Sequence, residues 1–404
     1  MSRRFMTFIF GMYGIALALL QWTAGGVRTD EAKYLLNIPY PQPPVMRFIL
    51  SLTENIPHQD LLWRILFALI LVWAVTLVWN MSEGLSRTAR LFLSGAWLLS
   101  AAVALQTGTI MMAPLTAVQA LVIVAVAFTK KPKEFSPAFL FLFGLFWLAS
   151  LFTAYQIVLF FPLVAAVYLR SSISRWQQAL YISGPVILVF AYALTNPFIL
   201  GSFINAGSEN LDIPLSWWVW FLLREWITGG SLVLSILGVA GLILHRRWEL
   251  LLSFLLVSAF VFLSFRDYYD IYFTPLWIAG AVLLFRAHPP RDGWLPWFLV
   301  PLTGVTILTA VLLPSITPLG PAREVMAMLQ ERHATGAILI SGPFGHQWQY
   351  ESRFPVRRYE PEFLGETQAV ICLNPCEKIE RSRFEKIRKR PEVWVKRALD
   401  SDLD

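Results

Sequence analysis

A succession of long apolar runs constrains this chain more than any other feature. They fall at 5–22, 61–79, 91–105, 113–128, 138–153, 155–169, 179–195, 231–244, 249–264, 271–285 and 294–313. A helix crosses a bilayer with about 20 apolar residues, and most of the runs approach that length. Soluble domains carry roughly 25% charged residues. This chain of 404 residues carries 15%, against 56% hydrophobic residues and a mean hydropathy of +0.58. The surplus apolar surface calls for lipid. The expected class is an all-α polytopic membrane protein with about 11 transmembrane helices, the short pair at 138–169 being the least regular part of that count.

Loop charge sets the expected orientation. With an N-terminus in the cytoplasm, the inner loops are 80–90, 129–137, 170–178, 245–248 and 286–293. They hold Arg87 and Arg90, then Lys130, Lys131 and Lys133, then Arg170 and Arg175, then Arg246 and Arg247, then Arg286 and Arg291. Every inner loop is basic, as the positive-inside rule requires. The same distribution accounts for the net charge of +7 and gives no reason to expect nucleic acid as a partner. The first run is longer than a signal-peptide core and ends in Gln21-Trp22, so it reads as an uncleaved first helix. The expected location is the plasma (inner) membrane, multi-pass.

The outer loops carry the polar chemistry. Residues 215–227, LSWWVWFLLREWI, place tryptophans at helical spacing with Arg224 and Glu225 between them, which suits a helix lying in the membrane interface. It reads equally as an aromatic anchor or as one wall of a lipid cleft. After the last apolar run the composition becomes polar and mixed in charge. The expected division is a transmembrane domain over 1–320 and a small extracytoplasmic α/β domain over 321–404. There AREVMAMLQERH reads as a helix, AILISG and QAVICL as strands, and RSRFEKIRKR as a surface helix. Cys372 and Cys376 suit either a local disulfide or two free thiols. They compose no metal-ligand set, and no Gly-rich phosphate loop or HExxH motif is present.

The acidic pair Asp30-Glu31 follows directly on the first apolar run. Taken alone, such carboxylates are ordinary solvated groups. Here Tyr34, Leu35, Leu36 and Ile38 follow at the spacing of a short helix that would hold the loop against the membrane, and Pro39-Tyr-Pro-Gln-Pro-Pro44 then fixes the chain direction. A second outer loop supplies Arg266-Asp-Tyr-Tyr-Asp270.

These residues resemble the GT-C type of integral membrane glycosyltransferase, in its protein O-mannosyltransferase and aminoarabinose-transferase branch. The likeness rests on Asp30-Glu31-Ala32-Lys33-Tyr34, on Gln42-Pro43-Pro44-Val45-Met46-Arg47, on Arg266 with Tyr272-Phe-Thr-Pro275, and on the segment FLFGLFWLASLFTAY. Two departures stand out. Gln42 replaces the basic or His residue that precedes Pro-Pro in the family, and the loop QTGTIMMAP lacks the family's second acidic residue. The resemblance implies a polyprenyl-phosphate-linked sugar as donor and a lipid, glycan or protein acceptor on the outer side. It leaves open a divalent metal and names no other cofactor.

Such a reaction needs a base for the acceptor hydroxyl and cations for the departing phosphate. Asp30 is the expected base, with Glu31 as alternate or orienting helper. Arg266 is the expected phosphate clamp, since a guanidinium grips phosphate bidentately. Arg47 and Lys33 are further donor-phosphate candidates. Tyr34, Gln42, Arg224 and Tyr272 are candidates for the substrate cleft. One base with direct displacement implies inversion at the anomeric carbon. The competing reading is a transporter or flippase for a lipid or amphipathic solute, which would show repeats and charges within its spans.

Overall fold

The computed structural model describes residues 3–23, 26–38, 43–128, 134–196, 199, 214–264, 267–291, 293–295, 297, 321–332, 336–342, 345–352, 354–374, 379 and 382–397. Its helices, in chain order, are α1 (Arg3–Thr23), α2 (Thr29–Leu35), α3 (Val45–Ser51), α4 (Gln59–Trp73), α5 (Val75–Met81), α6 (Arg87–Leu99), α7 (Ala101–Gln106), α8 (Met112–Phe128) and α9 (Pro137–Leu151). They continue as α10 (Phe161–Leu169), α11 (Arg175–Thr195), α12 (Leu215–Thr228), α13 (Ser231–His245), α14 (Trp248–Ser264), α15 (Phe273–Ala287), α16 (Ala322–Glu331) and α17 (His346–Glu351). Five strands follow the helical part: β1 (Ala337–Ser341), β2 (Val356–Arg358), β3 (Thr367–Cys372), β4 (Phe384–Lys389) and β5 (Glu392–Lys396).

The chain packs as two units. One comprises Met1–Leu19 with Pro39–Leu313; the other comprises Leu20–Ile38 with Pro314–Asp404. The division is not linear along the chain, because residues 20–38 cluster with the C-terminal residues.

In the helical unit, serines start several helices for a local reason. Ser86, Ser100 and Ser136 each accept a hydrogen bond from a backbone N–H of the first turn, at 3.3, 3.4 and 3.2 Å, satisfying donors that the helix itself leaves open. Ser100 thereby divides the run 91–105 into α6 and α7. Among the described residues, three stretches are long and apolar enough to cross a membrane: Gln59–Met81, Arg175–Thr195 and Tyr269–Ala287; most of the expected run 294–313 lies outside the described residues. A fourth is added if α12 and α13, bent by 97°, count as one. Length alone therefore supports three or four of the eleven crossings expected. Pro137–Leu151 and Tyr155–Leu169 have 15 residues each, roughly 22 Å of helix against a hydrocarbon core of about 30 Å.

Tyr269–Ala287 is 83% buried, whereas Arg175–Thr195 is 17% buried, so the former runs through the middle of its unit and the latter along its outside. Alongside the central helix lies α13. A Cβ built on Gly238 would stand 2.7 Å from Trp277 Cα, and one built on Gly241 would overlap the carbonyl oxygen of Gly280. Only glycine permits that approach. Gly229 meets Asp270 and Phe273, Gly238 meets Trp277, and Gly241 meets Gly280, so α13 and α15 run in the same direction.

The smaller unit has a mixed sheet in the order β2-β1-β3-β5-β4, parallel from β2 through β3 and antiparallel beyond. AILISG and QAVICL are strands as expected. One face carries Ile338, Ile340, Ala369 and Ile371 against Val325, Met326 and Leu329 of α16 and Trp348 of α17. The other carries Leu339, Val370, Cys372 and Phe384. RSRFEKIRKR contradicts its helical expectation: Phe384–Lys389 pairs antiparallel with β5, which buries Phe384 and sets Lys386 beside Glu392 and over the Trp394 ring. Cross-strand pairing outweighs its local helical propensity. Cys372 is disulfide-bonded, and the chain's other cysteine, Cys376, lies outside the described residues.

Candidate functional site

The acidic pair opens α2, and the helix turns its two carboxylates to different tasks. Glu31 is fully buried and its Oε2 accepts the N–H of Arg28 at 2.8 Å, closing the first turn of its own helix. The Asp30 side chain is 47% exposed, and its Oδ1 accepts from Lys33 Nζ at 2.9 Å. Asp30 is therefore the member of the pair that water and a solute can reach. Lys33, a phosphate candidate from sequence, is occupied by this ion pair.

Tyr34 and Leu35 are buried, and α2 packs on α17. The apolar face of this short helix thus seats it in the small unit. Thr29 Oγ1 hydrogen-bonds Gln347 Oε1 of α17. Next to it Arg323 of α16 pairs with Glu351 of α17 at 3.2 Å, donates from Nη1 to the Trp22 carbonyl at 3.3 Å, and lies 5.5 Å from the Trp22 ring. Trp22 and Thr29 of the segment 20–38 are thereby tied to helices of the small unit.

The remaining candidates belong to the helical unit. Arg47 sits half-buried on α3, within electrostatic reach of Tyr155. The turn before it is fixed: Val45 N–H donates to the Phe152 carbonyl at 3.3 Å, so the Pro43-Pro44 turn is held at the end of α9. Tyr272 is 2% exposed, its ring 6.2 Å from those of Phe160 and Tyr269. It is a core residue here, and not part of an open cleft wall. Tyr269 accepts from Gln156 Nε2 at 3.1 Å, placing a polar contact beneath the Asp267–Tyr272 turn. Arg224 is bound by its neighbour: Nη2 and Nε reach Glu225 Oε1 at 2.9 and 3.1 Å. Gln42 and Arg266 lie outside the described residues.

Between α12 and the turn, Thr274 Oγ1 donates to the Gly229 carbonyl and Trp277 Nε1 donates to the Trp226 carbonyl at 3.1 Å. The tryptophan helix and the Asp267–Tyr272 turn thus meet at one end of the central helix. Among the described residues no three of His, Cys, Asp and Glu gather as a metal-ligand group.

Sequence reasoning passed over two charges. Arg64, inside the apolar run of α4, is fully buried and donates from Nη1 to the Gly108 carbonyl at 2.8 Å, and Asp60, one turn earlier, is 3% exposed. The signal was present in QDLLWRILF, where a cation interrupts a membrane-length run.

Solved structures that share this fold include two transferases. One is the oligosaccharyltransferase of Archaeoglobus fulgidus, in complex with Zn and sulfate, with TM-score 0.50 and 12% identity over 91% of this chain and 67% of that one. The other is the mycobacterial arabinofuranosyltransferase AftD, with TM-score 0.50 and 14% identity over 100% of this chain and 42% of that one. The chain spans under half the length of the second. At such identities the likeness is one of fold. No protein-family model and no curated protein matches the sequence.

Proposed function

We propose that this fold is of the GT-C type and serves a membrane glycosyltransferase that moves a sugar from a polyprenyl-phosphate donor to an acceptor on the extracytoplasmic side. The observation that carries the reading is the fold shared, across 91% and 100% of this chain, with two proteins named as sugar transferases. The acidic segment and the Tyr-x-x-Pro turn add the family's own residues to it. A disulfide at Cys372 suits an oxidising compartment for the small unit.

In the proposed step the acceptor hydroxyl attacks the anomeric carbon from the side opposite the phosphate. Its proton passes to Asp30, with Lys33 holding Oδ1 and Oδ2 taking the proton. The bond between the anomeric carbon and the phosphate oxygen breaks with inversion, and the polyprenyl phosphate leaves with its charge held by Arg266, with Arg47 as auxiliary. Glu31 orients the segment through its cap on Arg28. Lys33 and Arg224 each pair with a carboxylate, Asp30 and Glu225 respectively.

The test compares lipid-linked sugars and surface glycans in cells with and without the gene. Loss of one glycan together with accumulation of one polyprenyl-linked sugar is expected, and identifies acceptor and donor. Unchanged pools of both would overturn the reading.

A further inference from the structure

The helix α12 is amphipathic in reverse. Its inward face holds Phe221 and a glutamate, Glu225, 1% exposed and paired with Arg224. Its outward face holds Trp217 and Trp220, each 60% exposed, with Leu215, Leu223 and Ile227 also exposed. A groove of about 250 Å³ runs along Ser216, Trp217 and Trp220. In water such a face would be costly, since each large apolar side chain gains about 1.5–3 kcal/mol on leaving it.

The direction of the helix says what covers that face. The central helix Tyr269–Ala287 is long and apolar enough to cross a membrane, and α13 runs beside it in the same direction. From α13 the chain turns 97° into α12 at Gly229-Gly230. A helix perpendicular to a membrane-crossing neighbour lies parallel to the membrane plane. Tryptophan prefers the depth at which headgroups meet acyl chains.

We propose that α12 lies flat in the lipid headgroup boundary, with Trp217, Trp220, Leu223 and Ile227 dipped into phospholipid, and forms a ledge beside the Asp267–Tyr272 turn. This rests on the membrane half of the proposed function and fixes the depth at which that turn meets a lipid substrate. The occupant is the bilayer, not a second protein.

The full chain is reconstituted in vesicles of phosphatidylethanolamine and phosphatidylglycerol, with one nitroxide at a time on Trp217→Cys, Trp220→Cys, Leu223→Cys or Ile227→Cys. Among the described residues no free cysteine competes for the label. Leu232→Cys, Ile236→Cys and Ile243→Cys, at exposed positions of α13, give the reference. Depth is read from relaxation by oxygen against a water-soluble nickel chelate. The four α12 labels should share one shallow depth, about 5–10 Å below the headgroups, while the α13 labels deepen by about 1.5 Å per residue. A steady gradient of roughly 15 Å from the label at 217 to the label at 227 would make α12 half of a broken span and overturn the proposal. Protection from both reagents would mean that a second copy covers the face, and would overturn it too. Labels on α13 without a gradient would remove the membrane premise itself, a failure distinguishable from the other two.

Discussion

Replacing Asp30 by asparagine should abolish transfer and leave the fold intact, and the structure sets both magnitudes. The side chain is 47% exposed and makes a single ion pair, to Lys33 three residues on. Exposed pairs at this spacing contribute about 0.2–0.5 kcal/mol. A charge in the first turn of a helix adds about 0.3–1 kcal/mol at low ionic strength. The expected loss of stability is therefore about 0.5–1.5 kcal/mol. A general base contributes about 10²–10⁴ in rate, or roughly 2.7–5.5 kcal/mol of barrier. The two effects differ enough to separate. Glu31→Gln provides the contrast: that carboxylate is buried and caps its own helix, so its replacement should cost about 1–3 kcal/mol in stability and act on rate through the segment's order. The assay is release of labelled sugar from donor lipid extracted from cells lacking the gene, using full-length protein in vesicles, with thermal unfolding measured in parallel. Full transfer by Asp30→Asn would refute the assignment of the base, and a large drop in its unfolding temperature would refute the exposure argument.

Three further outcomes are expected. Gly241→Ala forces a methyl into the Gly280 carbonyl, where backbone cannot yield, so it should destabilise by about 3 kcal/mol in thermal unfolding, near the upper end of overpacking costs; no change would refute the close approach of α13 and α15. Arg323→Ala frees the Trp22 carbonyl and Glu351, so amide hydrogen exchange of residues 20–38 should accelerate at least tenfold while that of the central helix stays unchanged; equal rates in both proteins would show that the tie carries nothing. Arg388 beside Glu324 holds that carboxyl below its ordinary range, chiefly by hydrogen bonding. A depressed carboxylate contributes stability above its unfolded value and loses it as pH falls through its folded one. Arg388→Met should therefore flatten the acid limb of the small unit's unfolding curve, by a small amount because Glu324 is exposed, and an unaltered limb would count against the pair.

The strands β1 and β3 were legible because short β-branched and apolar runs bounded by polar residues admit few other fates. β4 was not, since RFEKIRK suits a charged helix as well as an edge strand and only its partner β5 decides. The acidic segment was legible as a short helix, but its seat on α17 was not, because no local pattern announces a partner hundreds of residues away. The difference between Asp30 and Glu31 likewise depended on that seat. Tyr272 was read as a cleft candidate from its motif, which says nothing of the packing that tucks its ring against Phe160. Arg64 shows the converse: a cation inside an apolar run is plain in the sequence, but its bond to the Gly108 carbonyl is visible only in the fold.

Thr29 and Gln347 are 318 residues apart in the chain yet bonded in the fold. At a ribosomal pace of about 5–20 residues per second, the acidic helix waits roughly a quarter of a minute to a minute for its seat to be synthesised. Throughout that wait its apolar side has nothing of its own to rest on, and the nascent protein is without an ordered acid. A chain cut short within the last apolar run would lack Gln347, and the acidic helix would stay without its seat.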